Sequence, residues 1–253
     1  MVEMSLESVE GIEVIHAGPA GKRHQPLPTI FFYHGYTSSK EVYSYFAYAY
    51  AYAFAAAGFR TIIPDADLHG ARFDGNETYR RAHFWRILQS NIDELPALKQ
   101  HYQHAGLIDG ERIAVAGASM GGMTTLGALV RYPWIKVAAD FMGSGYFTSL
   151  AQTLFPPLQV TDAQQQHEFD QLIAPLAEYE ATNQLEKIAN RPLLVWHGLA
   201  DDVVPAVESV RLLQALKSRG LDGNLTYLTE AGIGHKITPT ALAAGARFFS
   251  QHL

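Results

Sequence analysis

The chain has 253 residues, which fits one α/β domain, with 48% apolar and 17% charged residues and a net charge of −6. Such a composition buries a sizeable core and excludes disorder, and with no Lys/Arg cluster it points away from nucleic-acid and anionic-membrane partners. The absence of cysteine excludes a disulfide scaffold, a thiolate metal site and a cysteine nucleophile.

The start, Met1 to Glu7, has neither a basic n-region nor an apolar h-region, so no signal peptide is expected. The longest apolar tract, Tyr43 to Ala57, is too short and too rich in Tyr and Ala to span a bilayer, so a cytoplasmic protein is expected. Met4 to His16 alternates loosely around Glu10-Gly11 and predicts a hairpin of two edge strands. A Gly/Pro loop follows, then Thr29 to Tyr33 as a central strand ending in His34-Gly35-Tyr36-Thr37-Ser38-Ser39. Ser38 with Glu41 fits a capping box. The tract Val42 to Ala57 alternates Tyr and Ala as a strand would. Its length, its alanines and the terminal Gly58 favour a helix, with Tyr43, Tyr45, Tyr48, Tyr50 and Tyr52 packing into core and grooves.

Phe59 to Pro64 predicts a strand, and the loop after it holds Asp65, Asp67 and His69. Tyr79 to His104 has helical spacing, kinked or split at Pro96. Arg112 to Ala118 reads as a strand buried on both faces. It turns at Gly117-Ala118-Ser119-Met120-Gly121, a G-x-S-x-G, and runs into a helix. That context makes the motif a nucleophile elbow, in which small residues let a strained turn close and project the serine hydroxyl. Lys136 to Met142 predicts another strand. From Tyr146 to Asn190 the alternation breaks, so residues 146–190 are expected to form a small helical cap inserted in a single domain of residues 1–253. The sheet resumes at Pro192 to Trp196 and Asn224 to Glu230, with helices at Val207 to Arg219 and Thr238 to His252. The fold class is α/β: a mostly parallel sheet with helices on both faces.

Ligands on such sheets bind beyond the carboxyl ends of the strands. His34, Ser119, Asp201 and His235 each follow a predicted strand, so the topology collects them. A serine needs a base, and the base needs a third group to orient it. In elbow-type hydrolases the order is Ser, then acid, then His. Beyond the Asp201 loop stand only His235 and His252; His235, in a Gly-flanked loop, is the better base. Asp201 is preferred to the adjacent Asp202 as the acid. Met120 N–H and Tyr36 N–H are the candidate oxyanion-hole donors, with Gly35 allowing close approach. His34 either lines the substrate site or ties loops together, and His69 and His197 admit the same structural reading. His69 with Asp65 and Asp67 is too weak a cluster to predict a metal, and no cofactor motif is present.

The set HGY, GASMGG, HGLADDVVP and GIGH resembles the α/β-hydrolase superfamily. It is most similar to the small prolyl-oligopeptidase-like and dienelactone-hydrolase-like esterases, and the runs HGYTSSKEVYSYFA, GSGYFTSLAQTLFPPL and GHKITP resemble the bacterial YjfP-type esterases. The resemblance implies Ser119 as nucleophile, Asp201 as acid and His235 as base. The oxyanion segment is HGY rather than HGGG, and Ser replaces the Cys of dienelactone hydrolases. The leading reading is a serine carboxylesterase on small acyl esters; Tyr146, Phe147 and Phe155, bulky groups just after a strand end, are expected to roof the substrate site and so to favour short acyl chains. Alternatives are a peptidase, amidase, thioesterase or acyltransferase, or a non-catalytic ligand-binding protein on the same scaffold.

Overall fold

In the computed structural model, which describes residues 1–44 and 49–253, the chain alternates strands with helices. The strands are β1 (Val2–Val9), β2 (Ile12–Pro19), β3 (Leu27–Tyr33), β4 (Arg60–Pro64), β5 (Ile108–Ala118), β6 (Val137–Phe141), β7 (Leu193–Gly198) and β8 (Leu225–Glu230). The helices are α1 (Lys40–Ser44), α2 (Tyr50–Ala56), α3 (Glu77–Ala82), α4 (Phe84–His104), α5 (Met120–Arg131), α6 (Phe147–Leu150), α7 (Ala163–Ile173), α8 (Leu185–Ala189), α9 (Val207–Ser218) and α10 (Pro239–His252). The described strands form one sheet in the order β1-β2-β4-β3-β5-β6-β7-β8. β1 and β2 pair antiparallel through a tight turn at Glu10 (φ 52°) and Gly11 (φ 80°), and β2 also runs antiparallel to β4. β3 to β8 are parallel, so their connections end on one edge.

Successive side chains of the central strands enter different cores, because the strand period is two. Phe31, Tyr33, Ile113, Val115, Leu193 and Val195 meet the α4, α5 and α9 side, with Leu95, Leu98, Leu126, Leu129 and Leu212. Ile30, Phe32, Ala114, Ala116, Leu194 and Trp196 meet α2 and α10, with Tyr50, Phe54, Phe248 and Phe249. A third cluster joins α4 and the α5 start to the insertion: Phe84, Trp85, Leu88, Met120 and Met123 pack with Phe147, Leu150, Phe169, Ile173 and Leu176.

Three local expectations are corrected. The stretch 79–104 divides at His83, between α3 and α4, and not at Pro96. Pro96 sits inside α4 because the Ile92 carbonyl, whose helical partner it removes, accepts from the Tyr132 hydroxyl at 3.0 Å. The capping box does not form as read: α1 starts at Lys40, and Glu41 pairs instead with the Lys40 ammonium at 2.9 Å. The tyrosine ladder separates. Tyr50 stacks on Phe32 with ring centroids 4.5 Å apart, Tyr43 is buried and Tyr52 is exposed, while Tyr45 and Tyr48 lie outside the described residues.

The far end of α5 is held by one side chain. Arg191, buried just before β7, donates to the carbonyls of Leu129, Tyr132, Ile135 and Lys187 at 2.6–2.9 Å. It caps the helix C-terminus, where a cation also meets the negative end of the dipole. Arg191→Met keeps much of the apolar stem and strips these carbonyls of their donor. It should cost about 2–4 kcal/mol, read as a lower urea midpoint at unchanged m-value.

Candidate active site

β5 ends at Ala118, and Ser119 adopts φ 59°, ψ −118° before α5 begins. A non-glycine residue there is strained, as a nucleophile elbow requires. The elbow closes only without side chains at its flanks. A Cβ on Gly117 would stand 2.3 Å from Gly121 O, and one on Gly121 would stand 1.9 Å from Tyr33 O. The turn after β3 lies against the same serine, since a Cβ on Gly35 would be 3.4 Å from Ser119 Cβ.

β7 and β8 deliver the other two residues. His235 Nε2 is 2.8 Å from Ser119 Oγ, and His235 Nδ1 is 2.7 Å from Asp201 Oδ2. With Nδ1–H donating to the carboxylate, Nε2 is the acceptor for the serine hydroxyl. Asp201 Oδ1 accepts the Val203 and Val204 N–H groups, each at 3.0 Å. His197 Nε2–H donates to Val204 O at 2.9 Å and stands 3.3 Å from Asp201 Oδ2. Burial pushes the Asp201 carboxyl up, but the hydrogen bonds from His197, His235 and Val203 outweigh it and hold it well below the usual carboxylate range. Asp202 is exposed, and so is His252.

The other singled-out residues are placed as follows. His34 is buried, donating from Nδ1 to Gly35 O at 2.8 Å and accepting Ala66 N–H at Nε2 at 3.1 Å, so both nitrogens tie loops and neither faces a ligand. Both nitrogens of His69 are likewise committed to backbone, and Asp65 accepts the buried Lys40 ammonium at 2.6 Å, so the residues of the weak metal hint are otherwise engaged. Tyr146 and Phe147 are buried in separate clusters and present no surface to a substrate in this conformation. They differ from the expected roof because Tyr146 packs with Leu126 and Ala181 beneath Arg211, and Phe147 fills the space over Gly127. Phe155 is only partly buried, with its ring 4.8 Å from Tyr36 and 4.5 Å from Phe84. Met120 is buried at the first position of α5, and Tyr36 is partly exposed.

Asp140 was missed by sequence reasoning, although a carboxyl inside the apolar run Val137–Phe141 was a visible signal. It is fully buried, its Oδ1 accepts Gly143 N–H at 2.9 Å, and a Cβ on Gly122 would stand 2.2 Å from that oxygen. Among the described residues no group of three or more His, Cys, Asp or Glu could hold a metal, and no helix is long and apolar enough to cross a membrane.

The fold and this Ser–His–Asp arrangement define an α/β hydrolase. The chain belongs to the prolyl oligopeptidase family, whose model matches residues 44–253. It is 51% identical over 253 residues, all of both chains, to esterase YjfP of Escherichia coli strain K12. Among solved structures it is similar to TT1662 of Thermus thermophilus, with a TM-score of 0.76 and 23% identity over 99% of this chain and 98% of that one. A Mycobacterium tuberculosis puromycin-hydrolyzing peptidase superposes with a TM-score of 0.74 at 22% identity, over 99% of this chain and 39% of its own.

Burial pushes the Asp140 carboxyl up to about 7, with His197 pulling the other way. The unfolded chain therefore releases this proton from about pH 4 upward while the folded protein keeps it to about pH 7, so stability falls as pH rises across that window. Asp140→Asn should remove the slope, gaining about 2–4 kcal/mol over wild type at pH 8 and little at pH 4. Urea unfolding at the two pH values checks it, and a gain equal at both would refute the assignment.

Proposed function

We propose that this protein is a serine carboxylesterase acting on short-chain acyl esters through an acyl-enzyme. The relay from Ser119 Oγ to His235 Nε2 (2.8 Å) and from His235 Nδ1 to Asp201 Oδ2 (2.7 Å) carries the proposal. Ser119 Oγ attacks the ester carbonyl carbon as its proton passes to His235 Nε2. The imidazolium so formed is stabilised by the ionised Asp201. The oxyanion accepts from the N–H groups of Met120 and Tyr36. Collapse breaks the ester C–O bond, and His235 returns its proton to the departing alcohol. Water then attacks the acyl-Ser119, again through His235, releasing the acid and restoring the serine.

The esterase name of the 51% identical relative supports the ester as substrate. Family membership favours a second reading, amide or peptide hydrolysis by the same relay. Matched p-nitrophenyl ester and p-nitroanilide substrates separate the two: kcat/KM should favour the ester. Ser119→Ala should lower kcat by about 10⁴ or more with the fold intact, and a fluorophosphonate should label Ser119. Asp201→Asn should cost about 10³–10⁴ and Asp202→Asn far less; the reverse order would reject the acid.

Phe155 limits acyl length in this reading, standing over Tyr36 where a growing chain would meet it. Each methylene gains about 0.8 kcal/mol while apolar room lasts and loses about 1–3 kcal/mol once packed groups must move. The optimum should lie at about two to four acyl carbons, from the balance of those terms. Phe155→Ala should shift it to longer chains, whereas Phe147→Ala, which removes a core side chain, should lower stability without moving it. An unchanged chain-length profile for Phe155→Ala overturns the role of that ring.

A further inference from the structure

Ser38 N–H bonds to Gly35 O at 3.2 Å, so residues 35–38 form a β-turn with Tyr36 and Thr37 at its corner. Thr37 has φ 61°. This is the corner position of a type II turn, which glycine or asparagine ordinarily fills, and a β-branched residue there is strained. Rotating the Tyr36–Thr37 peptide to the type I form would relieve that strain. It would also swing the Thr37 N–H away from its partner, His69 Nε2 at 3.0 Å.

His69 is built to accept that hydrogen bond. Its side chain is fully buried, and its Nδ1–H donates to Asp67 O at 2.8 Å, which leaves Nε2 bare. Burial and the neighbouring His34 push it down to about 4; Arg80 adds to this and Asp65 opposes it. The ring is thus the neutral acceptor near pH 7. His34 does the reverse job from the other loop, accepting Ala66 N–H, and the two rings lie 5.4 Å apart. Each loop therefore lends a histidine to take a backbone N–H of the other. The clasped turn stands directly on Ser119 through Gly35, and the Tyr36 ring meets His69 edge-on at 5.3 Å.

We propose that His69 is a positioning residue for the reaction: its Nε2 anchors the turn of residues 35–38 through the Thr37 N–H, and so fixes where the neighbouring Tyr36 N–H stands relative to Ser119. The inference rests on the reading of Ser119 and Tyr36 given under the proposed function. It assigns His69 no contact with substrate.

The test is steady-state ester hydrolysis by the full chain and four variants, with folding checked by circular dichroism. His69→Leu should lower kcat about ten- to hundredfold, less than the roughly 10²–10³ for deleting an oxyanion donor outright, with KM little changed. His69→Gln, whose Oε1 can accept from Thr37, should recover most of the loss. Adding Thr37→Gly to His69→Leu should restore kcat to within about threefold of Thr37→Gly alone, because glycine adopts φ near +60° without the strain that the clasp offsets. Wild-type kcat in folded His69→Leu overturns the proposal. So does a tenfold or greater gap between the double variant and Thr37→Gly, a comparison that holds even if His69→Leu alone does not fold. A wild-type protein that neither turns over esters nor labels at Ser119 removes the hydrolase reading itself and this inference with it.

Discussion

The first turn of α5 lies on the end of β3 with no room for a methyl group. A Cβ on Gly121 would come within 1.9 Å of Tyr33 O, and this contact sets the site. It presses the elbow against the β3 turn, so Ser119 and Gly35 meet although 84 positions separate them in the chain. A second tight joint does the same for the other half. A Cβ on Gly198 would be 2.4 Å from Ile233 O, and Ala200 N–H bonds to that carbonyl at 2.9 Å, which locks the Asp201 loop to the His235 loop. Parallel pairing of β5 to β8 then fixes the two joints relative to each other. The Ser–His–Asp constellation is a consequence of where backbones touch, more than of attraction among its side chains.

Two opposite electrostatic devices operate within this edge. Around Asp201, backbone N–H groups and two histidines converge on one carboxylate, and together they overcome the cost of burying its charge. Around the β3 turn the charge is removed instead: His34 and His69 are buried, burial depresses the pKa of each, and both then serve as acceptors. An imidazolium has no acceptor to offer, so a charged ring in either position would face an N–H with another N–H. One carboxylate is thus kept low in pKa by its donors, and two imidazole rings are kept neutral by burial.

Much of this was legible in the chain. The parallel sheet with its edge hairpin followed from apolar runs, Glu10-Gly11 and the alternation with helical spacing, and the order Ser119, Asp201, His235 followed from one motif plus chain order. What failed to read was tertiary. Nothing local distinguishes a Pro96 whose orphaned carbonyl finds Tyr132 from one that ends a helix, because the hydroxyl lies 40 residues away. Tyr146 and Phe147 looked like a roof because they follow a strand end; burial inside two different clusters depends on partners such as Ala181 and Gly127 that spacing cannot nominate. Asp65, Asp67 and His69 gave no more than a weak metal hint, and the partners that engage Asp65 and His69, the Lys40 ammonium and the Thr37 N–H, are not visible in sequence.

Within residues 146–190, Phe155 is held against the Tyr36 turn by terms that nearly cancel. Phe155 has φ 49° and precedes Pro156, a position where both its own side chain and the proline ring disfavour that backbone. Such a conformation costs about 1–3 kcal/mol. Against it stand the Trp85 Nε1–H bond to Phe155 O at 3.1 Å and the ring contacts to Phe84 and Tyr36. A net hydrogen bond gives about 0.5–1.5 kcal/mol and an aromatic pair about the same beyond its area. Holding and releasing Phe155 are therefore balanced to within a few kcal/mol, while the rest of the insertion is anchored by Phe147, Phe169 and Leu176 in the third core. The left-handed backbone at Phe155 thus sits over a well-packed base. Of the three groups that hold it, Phe84 and Trp85 stand in the first turn of α4 and Tyr36 in the turn after β3.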